Sequence, residues 1–235
     1  RGLGDVYKSQ PEYRNRRIAV IGGGQTLTVN LAGAPGEADG QGAKINNLMG
    51  ATGSSLAVNN TGDGTAVVIL NNKQMTTGED DIDPAGQDTV MGGSITGGSN
   101  VTFIKEGTGT LTVGGTMDVE TLALREGNII LNGTENSLDT LTLEGGGLTI
   151  SGNAEIETIT GTEAGGTLAI QGTLDLTGTS SINNGAITGT GSLRIREGAE
   201  LALGGEARLD GTSVTADGTL TLTGTESGAI SGLSG

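Results

Sequence analysis

Carboxylates are the reactive groups that this chain repeats. Glu120, Asp139, Glu157 and Asp175 each follow an aliphatic residue, at Val119, Leu138, Ile156 and Leu174, so they recur at steps of 19, 18 and 18 residues. Acids stacked in one column on neighbouring strands repel one another. A Ca²⁺-binding stripe is one expectation for such a column, and a set of solvated carboxylates splaying apart is the other. A second acidic group runs from Glu79 to Asp88, where Asp81, Asp83 and Asp88 fall on a spacing suited to the six to eight hard oxygen ligands of Ca²⁺. The fifth place of that pattern is Ala85 and the place of the closing glutamate is Gly92, so a solvated acidic loop competes with the calcium reading. No other cofactor is expected.

The remaining chemistry is sparse. The chain has no His, Cys or Trp, one Phe and two Tyr, both within the first 17 residues. A polysaccharide lyase or glycosidase needs acids or metal-binding groups that converge in a groove, with aromatic platforms for sugars. Such an enzyme is therefore a minor alternative, and a non-catalytic protein is expected. Ile18–Gly24 reads IAVIGGG and imitates the strand and glycine turn of a dinucleotide-binding unit, which requires a helix next. The following Thr26-Leu27-Thr28-Val29 alternates like a strand, so a glycine turn between two strands is expected instead. With 12 basic against 27 acidic residues, a net charge of −15, and five of the basic residues inside positions 1–17, the body offers no basic face for nucleic acid. No apolar run approaches the roughly 18 residues of a membrane-spanning helix. The absence of Cys fits an extracellular protein that crosses membranes unfolded, although many cytosolic proteins also lack it.

The elements that must hold these residues follow from the period. Between Val119 and Gly191 each line of 18–19 residues carries a second aliphatic pair after a glycine-rich turn, as in Ile129/Leu131, Leu148/Ile150 and Leu168/Ile170. A fixed period this short is the mark of a stacked solenoid in which one line is one coil. The fold expected is all-β, a parallel β-helix (β-solenoid) with about 18–20 residues per coil and roughly ten or eleven coils at ordinary strand spacing. Gly makes up 46 of 235 residues and aromatics 1%, which suits a narrow core of Val, Ile and Leu. Alternation places Leu141 and Leu143 inward and Thr140 and Thr142 outward, while Asn132-Gly133 and Asn184-Gly185 supply positive-φ corners. Outside, Thr121, Thr140 and Thr158 stack beside Ala123, Thr142 and Thr160. This is a Thr array of three coils that Leu176 and Ile195 interrupt; water ordering is its remote reading and a solvated wall the plain one. The chain divides into an extended basic arm or linker (1–17), irregular coils carrying the acidic loop 79–88 (18–100), and regular coils (101–235) whose tail SGAISGLSG shows no polar cap.

One stretch resembles a known family. Phe103-Ile104-Lys105-Glu106-Gly107-Thr108-Gly109-Thr110-Leu111-Thr112-Val113-Gly114-Gly115, followed by Gly127 and Ile129, is similar to the passenger-associated repeat of bacterial autotransporters. It departs from that repeat where Thr116-Met117-Asp118 replaces the usual Asn- and Tyr-rich insert. The resemblance implies a right-handed β-helix, secretion across the outer membrane of a Gram-negative-type bacterium, and display outside the cell or on its surface. It transfers no catalytic residue. The function expected is structural and adhesive, with a host or neighbouring-cell surface, or a glycan, as partner. The alternative is an extracellular fibre subunit, a homo-polymer stacked end to end through uncapped coils.

Overall fold

Strands form where apolar and β-branched residues alternate with polar ones. Thr110–Val113 reads TLTV; Leu111 and Val113 are completely buried and the two threonines half-buried. Each such segment pairs in parallel with one a coil later: Leu111 faces Ile129, which faces Leu148, then Leu168, Ile187 and Leu209, at steps of 18 to 22 residues. The chain is an all-β solenoid of stacked parallel strands, and no helix occurs among the described residues. The computed structural model describes residues 18–33, 42–72, 74–75, 82–83, 86–162, 164–223 and 233–234.

About seven regular turns run from Thr89 to Leu222, and each visits three walls. The first wall stacks Thr89–Met91, Thr110–Val113, Asn128–Leu131, Gly147–Ile150, Thr167–Ile170, Ala186–Thr188 and Arg208–Asp210. The second contains Ser94–Gly97, the opening residues of Met117–Leu124, Asn136–Leu143 and Asn153–Gly161, then Thr173–Leu176, Ser192–Ile195 and Ser213–Ala216. The third holds Val101–Glu106, the closing residues of the same three long strands, then Thr179–Ile182, Glu200–Leu203 and Thr219–Leu222. Wider coils precede these turns. In them Ile18–Ile21 and Thr26–Leu31 lie on Ala43–Gly50 and Ser55–Asn60, and Ala66–Asn71 closes against Val101–Glu106. The described coils are fewer than the expected ten or eleven, and the regular step stretches beyond 20, as from Ile187 to Leu209.

Ile18-Ala19-Val20-Ile21 is a strand, Gln25 N–H donates to the Gly22 carbonyl at 3.1 Å, and Thr26–Leu31 is the next strand. The glycines therefore make a turn, and no helix follows them.

Inside, aliphatics stack in rows. Val68, Phe103, Leu122, Leu141 and Ile159 form one on the third wall, all but unexposed. Ser180 and Asn136 are among the polar residues that enter the core with hydrogen bonds made. Ser180 Oγ accepts Ile159 N–H at 2.9 Å. Asn136 Oδ1 accepts Met117 N–H at 3.0 Å, and its Nδ2 donates to the carbonyls of Gly133 (2.7 Å) and Asn153 (2.8 Å). Buried amides satisfied in this way avoid the desolvation penalty of an orphaned polar group.

The corner between first and second walls is a ladder of Gly93, Gly115, Gly133, Gly152, Gly172 and Gly191. A Cβ on Gly133 would lie 2.2 Å from the Gly115 carbonyl oxygen, on Gly152 2.0 Å from that of Gly133, and on Gly191 2.3 Å from that of Gly172. Gly133 is thus required by close approach and not, as its Asn-Gly context suggests, by positive φ. Gly185 does have positive φ, at 118°.

Candidate functional site

The frame that aligns the four repeat acids holds for three of them. Val119 faces Leu138 and Leu138 faces Ile156, while Thr121 faces Thr140 and Thr140 faces Thr158. Glu120, Asp139 and Glu157 therefore share one row between these pairs. Ile156, however, faces Leu176, and Glu155 is the residue opposite Asp175. The cause is the corner before it: three residues join Leu143 to Gly147, but five join Gly161 to Thr167. The two added residues move the frame by two, so Asp175 leaves the row of Glu157. Arg194 lies opposite Asp175 on the second wall, and Asp210 lies on the first wall opposite Thr188.

Two of the calcium candidates act as caps on backbone N–H groups. Glu120 Oε2 accepts Asn100 N–H, where Asn100 turns through φ of 57°. Asp88 Oδ1 accepts Thr110 N–H at 2.7 Å. Asp139 and Glu157 are exposed. Asp83 sits in the short strand Ile82–Asp83, antiparallel to Gln74–Met75, and Asp81 lies outside the described residues. Among the described residues no three carboxylates gather closely enough to hold a metal ion.

The Thr array is larger than its sequence frame implies. Thr102, Thr121, Thr140 and Thr158 share a row on the third wall, beside Thr142, Thr160 and Ser181. Leu176 and Ile195 belong to the second wall and do not interrupt it.

A corner and a cleft hold the concentrated polar groups. The corner is built around Lys105. Its side chain points inward between Leu70 and Leu124, and the residue is wholly buried. Its ammonium donates to the carbonyls of Gly107 (2.7 Å), Glu106 (2.9 Å) and Glu126 (3.4 Å). Burial pulls its pKa down to about 8, against the attraction of Glu126, Asp88 and Glu106. Glu126 Oε2 also accepts Gly107 N–H at 3.2 Å. A Cβ on Gly127 would lie 2.4 Å from the carbonyl oxygens of both Gly107 and Gly109 and 2.8 Å from Lys105 Nζ. The spaced glycines of this run are therefore what allows two successive coils to close over one lysine. Outside it, a ladder of alternating charge joins four coils: Lys44 to Glu106 (3.4 Å), Glu106 to Arg125 (3.7 Å), and Arg125 Nε to Glu144 (2.8 Å). Sequence reasoning passed over both features, although Val101, Phe103 and Lys105 alternate onto one face and Glu106, Arg125 and Glu144 are 19 residues apart.

The cleft, of about 590 Å³, lies on the second wall. Ser137, Glu155, Asp175 and Arg194 cross it in one outward row, and Asn153 and Thr173 lie beside them in the next. Thr134 and Glu135, from the preceding corner, form one side, and the buried Asn136 and Ala154 also line it. Asp175 Oδ2 pairs with the Arg196 guanidinium, whose pKa is raised by that hydrogen bond and charge. Asp175 Oδ1 is buried and has no hydrogen-bond partner in the protein.

Comparison with family models, curated proteins and solved structures returned no match for this chain.

Proposed function

We propose that this chain is a structural and adhesive segment of a secreted, surface-displayed protein, passenger-like in organisation, whose role is to extend and to make contact rather than to catalyse. The Lys105 corner carries this reading. Lys105, Gly107, Gly109 and Gly127, four of the residues in the stretch that resembles the autotransporter repeat, come together there as one unit of coil closure. A repeat whose buried polar chemistry is spent on closing coils serves length, and contact is left to the outward side chains. The stacked walls and the excess of acidic side chains are consistent with a hydrated exterior.

The test is antibody labelling and added-protease cleavage on cells producing the native protein. Labelling and cleavage on intact cells are expected. Signal and cleavage that appear only after lysis would overturn the display reading.

A further inference from the structure

We propose that the outer face of the first wall is a contact surface for a second copy of this chain; this names a partner for the adhesive reading above and rests on it. Val20 and Val90 are the starting point. With 66% and 57% of their surface exposed, they are the most exposed large apolar side chains among the described residues. Both belong to one outward row. Val20 faces Met49, Gly50 faces Met91 and so sets Met49 beside Val90, and the row runs on through Thr112 and Ile130 to Thr188. Met49 and Ile130 are half-buried, so apolar surface continues along the row. Contiguous apolar surface left open to water marks an interaction site.

Charge and shape name the occupant. The chain carries a net charge of −15, so two copies repel wherever their acidic faces meet. Asp118, Asp139, Glu155 and Glu157 are exposed on the second and third walls. The first-wall row carries no charge from Val20 to Thr188. Ala51, Gly92, Gly114 and Asn132 flank it on one side, and on the other Asp88 spends a carboxylate oxygen on Thr110 N–H. A second copy can therefore lie against this wall without setting like charges together. Gly, Ala and Thr keep the face level, as two sheets packed about 10 Å apart require. Its length, about 34 Å at ordinary strand spacing, and three rows about 7 Å apart give on the order of 500 Å² per copy, below the roughly 800 Å² of a standard interface. The contact is weak between free chains and gains strength where many copies are held side by side.

The test is sedimentation equilibrium of the purified 235-residue chain over a concentration series, at low and at high salt. A reversible monomer–dimer equilibrium is expected, and added salt should strengthen it by screening the acidic bodies. Val90→Glu and Ile130→Glu each put a carboxylate on the wall, two per dimer, and should weaken association by about tenfold or more. Thr142→Glu, on the third wall, adds the same charge to each copy and should leave association close to that of the unaltered chain. Val90 is more than half exposed, so its variant reports on the wall even if Ile130→Glu disturbs the fold. A monomer at every concentration, association retained in both wall variants, or equal weakening by Thr142→Glu would overturn the proposal. Cell-surface labelling is read separately. A displayed chain that stays monomeric sinks the wall contact alone, and a chain that associates but stays inside cells sinks the display reading alone.

Discussion

A lysine ammonium sealed between two leucines is stable only if its protons are accepted, and Lys105 meets that condition with three carbonyls. The Glu106 carbonyl also accepts Asn72 N–H, so Gly107 and Glu126 depend on the lysine more heavily. Replacing Lys105 by Met keeps the volume and removes the donors, and a loss of roughly 1–3 kcal/mol in chemical denaturation is expected. The pH dependence has a definite sign. Because the folded pKa, about 8, lies below the ordinary value of 10.5, the unfolded chain holds a proton that the folded chain has released between those limits. Stability should therefore rise with pH from about 8 to about 10.5. Thermal melts across this window, with Lys105→Met subtracted to remove other titrations, should show that rise; a flat or falling difference would contradict it. Alternation alone places Lys105 inward with Phe103, so the residue was legible, but the habit of reading lysine as solvated hid it. The caps made by Glu120 and Asp88 were not legible, because their partners Asn100 and Thr110 are set by register between coils and by no local motif.

Corners, more than strands, decide this fold. Strands such as Thr110–Val113 and Thr167–Ile170 could be read directly from alternating residues and a near-constant step. The frame beyond Ile156 could not, since nothing local announces that the connection 162–166 is two residues longer than 144–146, and the shift carries Asp175 from Glu157 to Glu155. Glycines at corners fall into two physical kinds that one-letter reading does not separate. Gly152 is crowded by the Gly133 carbonyl at 2.0 Å from a built Cβ, whereas Gly198 has open space and a φ of 82°. Gly152→Ala should cost more than about 2 kcal/mol, because backbone on an adjacent coil must move. Gly198→Asn should cost under about 1 kcal/mol, since Asn tolerates the left-handed region. Denaturant titration of the two variants checks the contrast, and equal losses would contradict it.

At the scale of the whole molecule, each coil touches its neighbours above and below, so stability is close to a sum over adjacent interfaces. Strands with a partner on both sides should open less readily than those at the end of the described stack. Hydrogen exchange is expected to be slowest across Thr110–Ile195 and faster at Ile18–Ile21; uniform protection would speak against stacking as the source of stability. The all-β class and the stacked coils were legible because a solenoid writes its period into the chain. The cleft was not, since Glu155 meets Asp175 only once the shifted register is known. The most direct test of the account is a distance along the stack. Val90 and Asp210 lie in one outward row of the first wall, six strand spacings apart through Thr112, Ile130, Thr149, Ala169 and Thr188. The chain has no native cysteine, so Val90→Cys with Asp210→Cys gives a clean pair of spin labels. Pulsed electron resonance should return one narrow distance near 29 Å, about 4.8 Å for each spacing; a broad distribution, or a maximum far from that value, would contradict the stacked solenoid.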